Sequence, residues 1–188
     1  MKKRILIVML TLALAVALVV PMAVPVAAQG ITTINLTVVP GGGYEIFPGI
    51  VSGGNRYGAT FVAQMAGDGY KGLLTTSTNY LGASPTPGGT NLLIGGSWSL
   101  TLTKNGKMAG TIIGTIDCSG GSVTWSPAST TNYGDVYAPV TFSGISKTFA
   151  GKTGTGFFKG QDVHRSNFYL FGIEVPIVTG GLTLNFSP

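Results

Sequence analysis

From residue 33 onward, hydrophobic and polar positions alternate with period two in short runs punctuated by glycine. Ile34, Leu36 and Val38 alternate with Asn35, Thr37 and Val39, and the run stops at Pro40, Gly41, Gly42 and Gly43. This pattern predicts a half-buried strand followed by a turn. Tyr44 to Phe47 is a short apolar piece carrying Glu45. Ala59, Phe61, Ala63 and Met65 then share one face and Thr60, Val62, Gln64 and Ala66 the other, before Gly67, Asp68 and Gly69 turn the chain into a partner strand from Tyr70 to Tyr80. The segment from Gly82 to Gly89 has the composition of a surface loop.

The strongest local signal lies between Trp98 and Ile113, where Asn105-Gly106 separates two alternating runs. Asn-Gly favours a type I′ turn because both central residues need positive φ, and that turn matches the twist of the strands it joins. Closure there predicts Leu102 opposite Ala109, Leu100 opposite Thr111 and Trp98 opposite Ile113. Val123 to Trp125 reads as a short strand or edge, and Ser126 to Pro139 as a long polar loop. Strands resume at Val140 to Phe142, Phe157 to Phe171, Ile173 to Thr179 with Pro176 at an edge or bulge, and Leu182 to Phe186. Both ends of this region are strands, roughly nine or ten in all. The expected fold is all-β, a single antiparallel β-barrel of about eight strands, with a two-sheet β-sandwich as the alternative. Terminal strands that pair with each other would remove the exposed edges.

The first 28 residues follow different rules. Lys2, Lys3 and Arg4 precede an apolar run from Ile5 to Val20, then Pro21, Pro25 and the small residues Ala27 and Ala28. This is the layout of a secretory signal peptide, residues 1–28, ahead of a secreted domain, residues 29–188. Removing it changes the charge balance: 11 bases fall to eight against six acids, so a net charge of +5 becomes +2. No dense basic run remains, and no nucleic-acid surface is expected. All 30 glycines stay with the domain, about two and a half times the ordinary share of ~7%. A single cysteine, Cys118, makes no internal disulfide, so stability must come from sheet pairing and core packing.

The same inventory limits the chemistry. One histidine and one cysteine leave too few ligands for a zinc site of the usual type, so no metal is expected. No phosphate-binding or dinucleotide-binding loop occurs, so no cofactor is expected either. The acids Glu45, Asp68, Asp117, Asp135, Asp162 and Glu174 are scattered singly, without the facing pair that a glycosidase needs. Asp117, Ser119, Gly120 and Gly121 resemble the serine segment of trypsin-like proteases, but Cys118 interrupts it and the histidine lies downstream. Asp162, His164 and Ser166 share one face of an expected strand, the three residue types of a catalytic triad. Such triads are normally assembled from separate segments, and a polar strand face is the simpler account. The absence of a recognisable catalytic set weighs against an enzyme.

The aromatics suggest binding instead. Tyr57, Trp125, Tyr133 and Tyr137 lie in or beside expected loops, with Arg56 adjacent to the first, and exposed aromatics with a polar rim bind sugars or apolar molecules. With His164 they form the candidate ligand-binding set.

Residues 140–158, which include Gly144, Phe149, Gly151, Gly154 and Gly156, resemble a degenerate "GGTGxFxGAxG" pattern of secreted dirigent-like and allene-oxide-cyclase-like barrels. The resemblance implies a small antiparallel barrel whose lumen holds an apolar molecule, with Phe149 dropping into the barrel end; it carries over no catalytic residue. Two functions are therefore expected. The first is a non-enzymatic module, secreted or at the cell surface, with a structural, adhesive or interaction role. The alternative is a small apolar-ligand-binding or cyclase-like barrel, with Phe61, Met65, Trp98 and Phe168 lining the lumen. Candidate partners are a cell-surface glycan, a small apolar ligand or a second copy of the chain, and membrane contact is expected only through the leader. An outer-membrane barrel and a strand-donating fibre subunit complete the range.

Overall fold

The computed structural model describes residues 31–82, 87–127, 131–165, 169–170, 173–174 and 176–188; the side chains at 131–132, 164–165, 169–170 and 173–174 lie outside the description, as does the expected signal peptide. The strands are β1 (Thr33–Phe47), β2 (Ile50–Ser52), β3 (Asn55–Gly67), β4 (Tyr70–Tyr80), β5 (Thr90–Lys104), β6 (Lys107–Ile116), β7 (Ser122–Trp125), β8 (Thr131–Gly144), β9 (Thr153–Arg165), β10 (Tyr169–Leu170), β11 (Ile173–Glu174) and β12 (Ile177–Phe186). A 3₁₀ turn, Lys147–Phe149, lies between β8 and β9, and no α-helix occurs among the described residues.

Eight strands form a closed antiparallel barrel in the order β1-β12-β9-β8-β6-β5-β4-β3, and β1 pairs with β3 to complete the circle. A closed ring leaves no free sheet edge in the wall, and it decides the fold in favour of the barrel over the sandwich. The terminal strands pair with each other through Thr33–Asn185 to Thr37–Gly181. β1 is one strand rather than two, because Pro40 to Gly43 form a bulge where the register with β3 jumps from Val38–Met65 to Gly43–Ala63. β2 extends β3 at one end, and β7 bridges the early part of β5 and the first half of β8.

Asn105 and Gly106 have φ of 52° and 73°, as a type I′ turn requires, but the strands beyond are offset. Leu102 pairs with Gly110, Leu100 with Ile112 and Trp98 with Gly114, because Ala109 is an extra residue on β6. One inserted residue exchanges the two faces of everything beyond it. Ile112 is therefore fully buried and Ile113 is 41% exposed. The expected polar loop before Pro139 also differs: its residues from Thr131 onward belong to β8, paired along its length with β9 from Thr131–Arg165 to Ser143–Thr153. The polar positions are the outward ones of an alternating strand; Ala138 and Val140 point into the barrel and are buried.

Inside and outside follow one rule around the ring. Ile34, Leu36, Met65, Leu100, Leu102, Ile112, Leu182 and Leu184 fill the interior, each contributing about 1.5–3 kcal/mol by leaving water. The outer wall is threonine-rich, with cross-strand hydroxyl contacts between Thr115 and Thr141 at 2.9 Å and between Thr101 and Thr111 at 3.4 Å. Thr183 donates to Asn35 across the strands that join the chain's two ends, at 3.0 Å.

One end of the barrel is plugged by aromatic rings. Tyr70, Phe149, Phe186, Phe142 and Trp98 contact one another in sequence, with centroid separations of 6.0, 5.9, 5.0 and 6.2 Å. Phe149 is fully buried, carried into the barrel mouth by the loop between β8 and β9. This end is solid. Beyond Trp98 the packing opens.

Candidate functional site

Above Trp98 the lumen encloses about 70 Å³. Phe61, Leu74, Leu93, Ile116, Val140 and Leu182 form most of its wall, and Thr76, Thr78, Tyr80 and Asp162 give it a polar side. The polar groups come from consecutive inward positions of β4 and one inward position of β9. β4 faces inward at Tyr70, Gly72, Leu74, Thr76, Thr78 and Tyr80, so its apolar half lies at the plugged end and its polar half at the open one. Of the expected lining, Phe61 and Trp98 are in place, Met65 is packed into the core without reaching the cavity, and Phe168 lies outside the described residues.

Trp98 forms the cavity floor. Its indole lies over Gly114, close enough that a methyl group there would fall 2.5 Å from Nε1 and 2.0 Å from the Thr141 carbonyl oxygen. Nε1 is buried and has no acceptor among the described residues. A buried donor left in this state normally costs about 1–3 kcal/mol.

Asp162 is 6% exposed, a buried carboxylate at the cavity's polar side. Tyr80, which lies beside it, has its phenol pushed well above the ordinary value of 10.0, first by burial and then by the negative charges of Asp162 and Glu45; Arg56 and a hydrogen bond involving Thr78 act in the opposite direction. The open end therefore brings two carboxylates, a guanidinium and a phenol within electrostatic range of one another.

Of the candidate ligand-binding set Arg56 alone joins this group, together with Asp162 from the row noted on β9. Arg56 pairs across β3 and β4 with Tyr80. Tyr57 is the next residue of β3, 41% exposed. Trp125 ends the short strand expected at 123–125, but it is buried rather than exposed beside a loop, and its Nε1 donates to Asn91 Oδ1 at 2.6 Å. Tyr133 and Tyr137 stand four residues apart on the outer face of β8, and Tyr137 packs on Phe157 at 6.0 Å. They are thus strand residues and lie on the opposite face of the wall from the cavity. His164 is in β9 opposite Asn132, with its side chain outside the description, and Ser166 lies outside the described residues. Of the run Asp162, His164 and Ser166, only the side chain of Asp162 is therefore described.

Tyr80, Thr76, Thr78 and Glu45 were not singled out. The available signal was the change from apolar to polar residues along one face of β4, which marks where a packed interior gives way to a polar one. The protease-like segment is a local turn: Asp117 Oδ1 accepts hydrogen bonds from the Ser119 backbone N–H at 2.8 Å and its hydroxyl at 2.9 Å, which lower the carboxyl pKa. Cys118 between them is free and exposed. No group of metal-ligating side chains occurs among the described residues. Comparison with protein-family models, curated proteins and solved structures finds no match for this chain.

Proposed function

We propose that the barrel binds a compact, mostly apolar molecule in its lumen. The carrying observation is a cavity that combines apolar walls with a polar side formed by Thr76, Thr78, Tyr80 and the buried carboxylate of Asp162. Apolar walls supply affinity and a few placed polar groups supply orientation. The volume selects the ligand class. About 70 Å³ exceeds the ~10–15 Å³ that one water requires but falls far below the roughly 300 Å³ at which drug-sized ligands begin. A small molecule carrying one hydroxyl or carbonyl group suits those partners. The resemblance of residues 140–158 to ligand-holding barrels supports the same reading.

Phenol and benzene provide the test, with amide and indole resonances followed by NMR. Binding is expected to shift the Trp98 indole and the amides of Leu74 and Leu182, with phenol tighter than benzene and Asp162→Asn reducing the difference. Ala63→Leu, which fills the lumen, should abolish both. Shifts confined to outer-wall residues such as Tyr137 would overturn the reading.

A structural or adhesive role remains the second reading, favoured by one observation. Ile46, Phe47, Ile50 and Val51 are 44–65% exposed around β2, beside Tyr57, a concentration of apolar surface that suits contact with another molecule. Two further readings fit less well. The wall is polar outside and apolar inside, the reverse of a lipid-embedded barrel, and both terminal strands are already paired on each side, whereas strand donation needs one free.

A further inference from the structure

The barrel separates its charges along its axis. Lys71 is the second residue of β4, Lys104 ends β5, Lys107 begins β6, and Lys147 and Lys152 lie in the loop between β8 and β9 that carries Phe149. All five belong to the plugged end, and Asp68 is the one carboxylate side chain there among the described residues; its Oδ2 is occupied by the Asn35 backbone N–H at 2.7 Å. Glu45, Asp117, Asp135 and Asp162 all lie in the opposite half. The lysines come from three separate stretches of chain, so no basic run exists in the sequence.

Two aliphatic side chains project among them. Met108, next to Lys107, is 49% exposed, and Ile145, two residues from Lys147, is 55% exposed. Ile31 lies at this same end, lining one surface depression with Tyr70 and Lys104. We propose that the plugged end docks on an anionic lipid surface, with the lysines facing the headgroups and Met108 and Ile145 entering the interface. Charge complementarity favours this orientation. Lysine combined with exposed aliphatic groups suits a headgroup layer. Nucleic acid would instead call for arginine and exposed aromatics, and this end carries neither among its exposed described residues.

The test uses the full chain with vesicles of phosphatidylcholine alone and vesicles with 30% phosphatidylglycerol, read by co-sedimentation at low and high salt. Wild type is expected to prefer the anionic vesicles and to lose that preference at high salt. The triple variant Lys71→Gln, Lys107→Gln, Lys147→Gln changes exposed positions only. At about fivefold per lysine, it should lower partitioning onto anionic vesicles roughly a hundredfold while leaving partitioning onto neutral ones unchanged. Ile145→Ser, a separate variant, should weaken binding even where salt has removed the charge effect. Equal partitioning of wild type and the triple variant onto anionic vesicles overturns the proposal. So does wild type that binds soluble polyphosphate but shows no preference for anionic over neutral vesicles.

Discussion

Phe149 and Phe186 stack with ring centroids 5.9 Å apart and planes inclined by 17°. One comes from the loop between β8 and β9 and the other from the last turn of pairing in β12, so a single contact ties a long connection to the strand that closes the barrel. The consequence is a division of the lumen. Rings fill the plugged end, and cavity and polar groups are confined to the other.

Phe149→Ala should be among the most damaging single changes, because it empties the centre of that aromatic column. Removing a fully buried phenylalanine costs about 3–5 kcal/mol, seen as a lower midpoint of urea denaturation, while Phe149→Leu should lose distinctly less. A loss below 1 kcal/mol for the alanine variant would mean that the end is not packed as described.

Gly114→Ala tests the cavity floor. Its methyl group meets the Thr141 carbonyl oxygen and the Trp98 indole at distances that no neighbour can accept unmoved. The expected cost is about 1–3 kcal/mol from overpacking, accompanied by a changed near-ultraviolet circular dichroism signal as Trp98 is displaced. An unchanged spectrum would place the indole elsewhere.

Alkaline pH should destabilise the fold through Tyr80. Its phenol is raised above 10.0 by burial and by Asp162 and Glu45, so above that pH the unfolded chain loses this proton while the folded chain keeps it. The unfolded state then binds fewer protons, and stability falls as pH rises beyond about 10. Denaturant midpoints measured between pH 8 and pH 11 should show this slope in wild type and a shallower one in Tyr80→Phe.

Asn91 links the bridging strand to the loop after β4. Its Oδ1 accepts from Trp125 Nε1 at 2.6 Å and its Nδ2 donates to the Leu81 carbonyl at 2.8 Å. Asn91→Ala should cost about 1–3 kcal/mol because the buried indole donor loses its acceptor. Adding Trp125→Phe should then cost less than the same change in wild type, a coupling that thermal melts of the four proteins would measure. Strict additivity would show that this hydrogen bond contributes nothing.

The candidate site was less legible in the sequence than the fold. Arg56 stood out because it neighbours Tyr57 in a turn-rich stretch, yet its relevance comes from pairing opposite Tyr80 on the next strand. Trp125 was expected outside for its loop-like surroundings; β7 instead carries it into the core, where Asn91 satisfies its polar atom. Asp162 attracted notice as part of a row with His164 and Ser166. In the folded chain its described neighbours are Tyr80 and the cavity wall.

What the sequence alone determined is what depends on neighbours: period-two alternation, the Asn105-Gly106 turn, the inward face of β3 and an all-strand chain with strands at both ends. These follow from side-chain geometry and backbone preference over a few residues. The offset at Ala109, the closure of β1 on β3, the gathering of five lysines at one end and the hollow above Trp98 were decided only by tertiary structure. Each depends on hydrogen-bonded pairing between segments far apart in the chain, where one extra residue exchanges inside for outside and no local pattern records it.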